Sequence, residues 1–174
     1  MHNQPSGVAF DVVLLLHVAC VVVGIVTVAA AAATARRLGR LARTAAPLPE
    51  ALRRYFRPGV NWAGRTIYGI PVFGFALLGM SQGAYAITDG WVLSGLVLFV
   101  ALALLCECVL WPAERRLQQA VVAAATPATG PGSASPPPAL ADGTVIVDAA
   151  RMERTASAVL VLLVVATIVM VAQP

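Results

Sequence analysis

Charge is scarce in this chain. Of 174 residues, 11% are charged and 59% are hydrophobic, where a soluble domain has about a quarter of its residues charged. Its 12 basic and 8 acidic side chains are too few for a water-facing surface of this size. The mean hydropathy of +0.83 is that of a chain whose solvent is lipid. Lysine is absent: every basic residue is Arg, a bias that suits a GC-rich bacterial genome. Histidine occurs twice, at His2 and His17. The three cysteines, Cys20, Cys106 and Cys108, lie inside apolar stretches, where a thiol behaves as a small hydrophobe, so no disulfide framework is implied. Cys106 and Cys108 are two positions apart and diverge by about 200° on a helix, which excludes one shared metal ion. No phosphate loop, HExxH helix, GxSxG elbow or paired-carboxylate motif is present, so nothing points to an enzyme. The net charge of +4 does not point to nucleic acid either, because the Arg residues flank apolar runs, where they orient a membrane protein.

What is present is a set of four apolar runs, at about residues 10–34, 67–87, 91–111 and 156–172. Each reaches or approaches the roughly 20 residues that cross a hydrocarbon core about 30 Å thick. The last is the shortest and requires an upright helix or local thinning of the bilayer. None alternates as a barrel strand does, and a lone strand leaves its backbone unpaired in lipid. The expected fold is therefore all-α, a four-transmembrane-helix bundle forming a single integral membrane domain over residues 1–174. The first run has no basic segment before it and is about twice the length of a signal-peptide core, so it is read as a retained span.

Arg placement orients the bundle. Arg36, Arg37, Arg40, Arg43, Arg53, Arg54, Arg57 and Arg65 lie between the first and second runs against Glu50 alone, which places that loop in the cytoplasm. Thr88-Asp89-Gly90 reads as a tight outer hairpin. Arg115, Arg116, Arg151 and Arg154 mark the second cytoplasmic loop, and both termini face outward. Tyr85 and Trp91 fall at the outer interface and Trp62, Tyr68 and Trp111 at the inner one, where amphipathic rings prefer to sit. Residues 124–143 hold five Pro and little that packs, and read as a disordered cytoplasmic linker. The protein is thus expected in the plasma membrane as a multi-pass chain. Its partners would be the lipid bilayer and a second copy or another membrane protein.

Polar groups inside spans are few and carry most of the functional information. His17 lies about 10 Å inside the first helix, on a face with Cys20, Gly24, Val28 and Ala31 that lets another helix approach. Two readings stay open. His17 makes an interhelical hydrogen bond within a polar layer with Ser81, Gln82, Ser94 and Thr167, or it binds haem, with Met80 or His17 of a second copy as the other axial ligand. Glu107, near the cytoplasmic end of the third helix, also has two readings: a structural pair with Arg65, or a proton or cation site for small-solute transport. Gly79 and Gly83, with Ala76, mark a close-packing face, and Pro71 is expected to kink the second helix.

Three segments, Leu16-His17-Val18, Pro112-Ala113-Glu114-Arg115-Arg116 and Met170-Val171-Ala172-Gln173-Pro174, together resemble the bacterial integral membrane proteins grouped as domain of unknown function 2269. The resemblance covers the four helices and implies a membrane bundle with no established activity. Gln173 stands where that pattern has a basic residue, and the segment after His17 lacks its Trp-x-Gly-Gly stretch. The Leu-His-Val opening is more distantly similar to small membrane bundles of the copper-resistance and haem-pathway type, and that likeness implies a first-helix His able to bind haem.

Overall fold

A run of Val, Leu and Ala residues with no Pro or Gly breaker until Gly24 favours one long first helix, and the computed structural model extends it from Val8 to Arg43 (α1). The structure describes residues 7–44, 46–81, 83–125 and 143–172. Among them there is no strand. Four helical stretches, Val8–Arg43, Trp62–Met80, Gly90–Ala125 and Gly143–Val171, are long and apolar enough to cross a membrane, so the fold is the expected all-α four-helix bundle. Gln82, His2, Gln173 and most of the Pro-rich stretch, 126–142, lie outside the described residues.

The remaining elements are α2 (Glu50–Tyr55), α3 (Trp62–Arg65), α4 (Gly69–Met80), α5 (Gly90–Leu105), α6 (Trp111–Ala125) and α7 (Gly143–Val171). Two prolines explain the two irregular joins. Pro71 has no N–H to give the carbonyl of Ile67, and its ring crowds that carbonyl. Thr66–Tyr68 tightens into a 3-10 turn there, and α4 restarts at Gly69 so that Pro71 falls in a first turn, where its N–H is not needed. Pro112 stands in the same relation to Cys108. Here the chain widens into a π turn over Cys106–Leu110, with Trp111 N–H donating to Cys106 O, and the helix continues to Ala125 instead of ending at 111.

Two further boundaries differ from the apolar runs. α4 ends at Met80 rather than near 87: Ser81 N–H and Ala84 N–H close successive turns on Leu78 O and Ser81 O, and Gly83 adopts a left-handed φ of 85° that few other residues tolerate. The connection to α5 is therefore longer than a Thr-Asp-Gly hairpin. Its end is fixed by Asp89, whose Oδ2 accepts Ala86 N–H at 2.8 Å. α7 begins at Gly143, well before the apolar run at 156.

The described residues pack as two compact units. The first comprises those within 1–28, 61–103 and 159–174 and is held by small-residue contacts. A Cβ on Gly69 would stand 2.6 Å from Cys20 Sγ, one on Gly24 3.0 Å from Ile67 Cγ2, and one on Gly95 would collide with Met170 Cε. The pairs Cys20–Gly69 and Gly24–Ile67 run in opposite senses, which makes α1 antiparallel to the α3–α4 stretch. Tyr68 and Phe99 meet edge to face at 6.5 Å, and Tyr85 and Trp91 do so at 5.4 Å. Among the described residues nothing packs on the GxxxG face expected at Gly79 and Gly83, since a Cβ at either would meet nothing within 4 Å.

The second unit comprises the described residues within 29–60 and 104–158, and it has a core of the ordinary kind. Ala31, Ala35, Leu38 and Ala42 of α1, Val145, Ala149, Met152 and Ala156 of α7, and Leu110, Leu117 and Val121 of the π turn and α6 are all buried. Their three- and four-residue steps are those of helices packed along a seam. A Cβ on Gly39 would touch Ala149 at 3.4 Å, and Arg36 bonds Glu153 at 2.7 Å, so α1 and α7 are antiparallel here. α2 caps this core with Leu52, and Phe56 follows it, fully buried. Burying an aromatic ring of this size contributes about 1.5–3 kcal/mol.

Candidate functional site

Two polar loci can be built from the residues upward, one in each unit. In the first, α1 carries His17 toward α4. The ring rests on Gly74, where a Cβ would be 3.3 Å from Cε1 and 3.6 Å from Nδ1. A methyl at 74 would therefore press lightly on the imidazole. His17 Nδ1 is sealed from solvent and has no hydrogen-bond partner among the described residues. The backbone of Ile70 lies beside the ring, but not at hydrogen-bonding geometry.

The polar layer expected around His17 takes a different form. Ser81 is buried, but its hydroxyl donates to Leu78 O at 2.7 Å, with Tyr85 O at 3.5 Å, and so closes the end of α4. Ser94 donates to Gly90 O at 2.7 Å and Thr167 to Leu163 O at 2.8 Å. Each hydroxyl is satisfied within its own segment, as Ser and Thr commonly are in apolar helices, and Gln82 lies outside the described residues. Met80, the in-chain second ligand expected for haem, lies six residues beyond Gly74 on α4, about 9 Å of helix rise from it.

Glu107 is exposed on the π turn and Arg65 is half-buried at the end of α3. Cys106 is buried and Cys108 exposed, the divergence expected of positions i and i+2.

The second locus was not visible as a site in the sequence. Glu114 is 5% exposed, on the buried face of α6 with Leu117, Gln118 and Val121. Tyr55 of α2 has its hydroxyl buried with no partner at hydrogen-bonding geometry. Burial, with the Glu114 charge adding to it, pushes the phenol up to about 12, while the neighbouring Thr34 hydroxyl offsets part of that rise. Thr34 gives its own proton to Ala30 O at 2.7 Å. Gln118 Nε2 donates to Gly59 O at 3.4 Å, which ties α6 to the segment after α2. Burial of Tyr55 and the Gln118–Gly59 bond hold α2 and the segment after it against α6. The signal that would have found Glu114 is its spacing: it stands four residues after Leu110 and three before Leu117, inside a packing seam. Ending the helix at 111 concealed that.

The surface of the second unit carries Arg36–Glu153 at 2.7 Å, Arg116–Asp148 at 3.3 Å and Arg54–Glu50 at 3.3 Å. Pairs of this exposure contribute about 0.2–1 kcal/mol each. No family model, no curated protein and no solved structure matches this chain.

Proposed function

We propose that this chain is a non-catalytic, multi-pass protein of the bacterial plasma membrane that serves as a structural or assembly component. The observation that carries the reading is how exposed apolar surface is divided. Of the large hydrophobic side chains exposed in the structure, all but Val60, Leu104, Val122 and Val147 belong to the first unit. That unit has the surface of a protein solvated by lipid. The second unit instead buries Leu38, Phe56 and Met152 and holds nearly all the Arg residues, as a cytoplasmic extension of the helices would. This supports an orientation with both termini outside. The non-catalytic reading is supported by the polar groups themselves: the span hydroxyls bond their own backbone.

The rival reading, a redox protein using His17, rests on the unpartnered Nδ1. A visible absorption spectrum of the protein purified from its membrane separates the two. The structural reading expects no Soret band, and a band that disappears in His17→Leu would overturn it.

A further inference from the structure

The second unit contains an open cleft of about 490 Å³ between the π turn and the first half of α7. Its floor is apolar, built from Val109, Ile146, Val147 and Ala150, and its rim carries Arg151 and Arg154. Both guanidiniums are exposed, and neither has an ion-pair partner among the described residues. The two acids on this stretch of α7 are already engaged elsewhere, Asp148 with Arg116 at 3.3 Å and Glu153 with Arg36 at 2.7 Å. Arg151 and Arg154 are three residues apart, so they share a helix face and can converge on one group. Two forked guanidiniums match the oxygens of a phosphate.

The position of the cleft selects which phosphate. Arg154 stands immediately before the apolar run that begins near 156, and Val109 closes the run that ends near 111. The cleft therefore opens where hydrocarbon gives way to headgroups. A free phosphate would use the Arg pair alone, whereas a phospholipid also sets its acyl chains against Val109 and the apolar run that begins near 156. We propose that this cleft binds the headgroup phosphate of an anionic phospholipid, its acyl chains running past Val109 along the apolar run. Basic pockets between membrane helices recognise lipid headgroups by this combination. The proposal rests on the membrane reading above, which fails separately if the protein is recovered in the soluble fraction or released from membranes by alkaline carbonate.

The test uses the full chain in mild detergent, with native mass spectrometry counting retained phosphatidylglycerol against phosphatidylcholine. Wild type should retain phosphatidylglycerol preferentially. The double substitution Arg151→Gln with Arg154→Gln should lower that preference about thirtyfold, from the loss of two arginines at a headgroup. Arg53→Gln with Arg57→Gln removes the same charge from exposed positions that do not flank an apolar run, where the surface potential has fallen off, and should change it less than about twofold. Inorganic phosphate at equal concentration should not displace the lipid. Equal losses in the two double variants, no preference in wild type, or displacement by inorganic phosphate would each overturn the proposal. Circular dichroism of both variants confirms that their helices are intact.

Discussion

The contact between Gly69 and Cys20 gives the sharpest energetic prediction. A methyl group on Gly69 would lie 2.6 Å from Cys20 Sγ, roughly 1 Å inside the distance at which packed heavy atoms rest. Overpacking of this kind costs about 1–3 kcal/mol. The gain from replacing helical Gly with Ala, about 1 kcal/mol, works against it, so Gly69→Ala alone should lose at most about 2 kcal/mol. Cys20→Ala alone removes one sulfur and should cost about 1 kcal/mol. In the double variant the new methyl would face Phe73 Cε2 at 3.5 Å and the β-carbon at position 20 at 3.6 Å, both ordinary contacts. The collision is then gone, and the two changes should couple favourably by about 1–3 kcal/mol. The assay is reversible unfolding in mixed micelles titrated with denaturing detergent, followed by circular dichroism, for all four members of the cycle. A coupling below about 0.5 kcal/mol, the level shown by independent sites, would refute the claim that this pair sets the approach of α1 to the start of α4.

Two other predictions concern single groups. Tyr55 is raised from 10.0 to about 12 in the folded protein, so the folded state keeps a proton that the unfolded state releases. Its contribution to stability is present below about pH 10 and is lost as pH rises toward 12, by at most about 2–3 kcal/mol. A late step in the ultraviolet titration of tyrosinate should be absent in Tyr55→Phe, which should otherwise unfold within about 1 kcal/mol of wild type because its hydroxyl has no partner to lose. A late step that persists in the variant would contradict the assignment. The glycines of the apolar helices should also divide: Gly24→Ala, whose methyl would press on Ile67 at 3.0 Å, should destabilise by about 1–3 kcal/mol. Gly79→Ala, whose methyl meets nothing within 4 Å, should be neutral or slightly stabilising. Equal effects in micelles would contradict the packing described for α4.

The existence and class of the four helices were legible because an apolar run of about 20 residues has few alternatives. Their ends were not. Arg36, Arg37, Arg40 and Arg43 read as a loop in a hydropathy profile, yet they decorate the outer face of a helix whose inner face is Ala35, Leu38 and Ala42. Short side chains make that amphipathic pattern faint. Pro112 read as a helix end because an α-helix cannot absorb it unchanged, and the π turn is a remedy that sequence spacing does not announce. The same misplaced boundary concealed Glu114. His17 was legible as an inward-facing residue from its small-residue neighbours, and Cys20 and Gly24 do pack on that face. Its contact, Gly74, was not legible, because the GxxxG at Gly79 and Gly83 offered a more familiar pattern. Serine and threonine misled for a simple reason: their hydroxyls can bond their own helix, so depth alone does not make a polar layer.

The proposed placement of the Arg-bearing helix extensions in the cytoplasm is open to direct measurement by cysteine accessibility. With Cys20, Cys106 and Cys108 replaced by Ala, single cysteines would be introduced as Thr88→Cys, Arg43→Cys and Arg115→Cys, all at exposed positions. In intact cells a membrane-impermeant maleimide should label the cysteine at 88 and should reach those at 43 and 115 only after permeabilisation. Labelling of 43 and 115 in intact cells with 88 protected, or equal labelling of all three, would contradict the account.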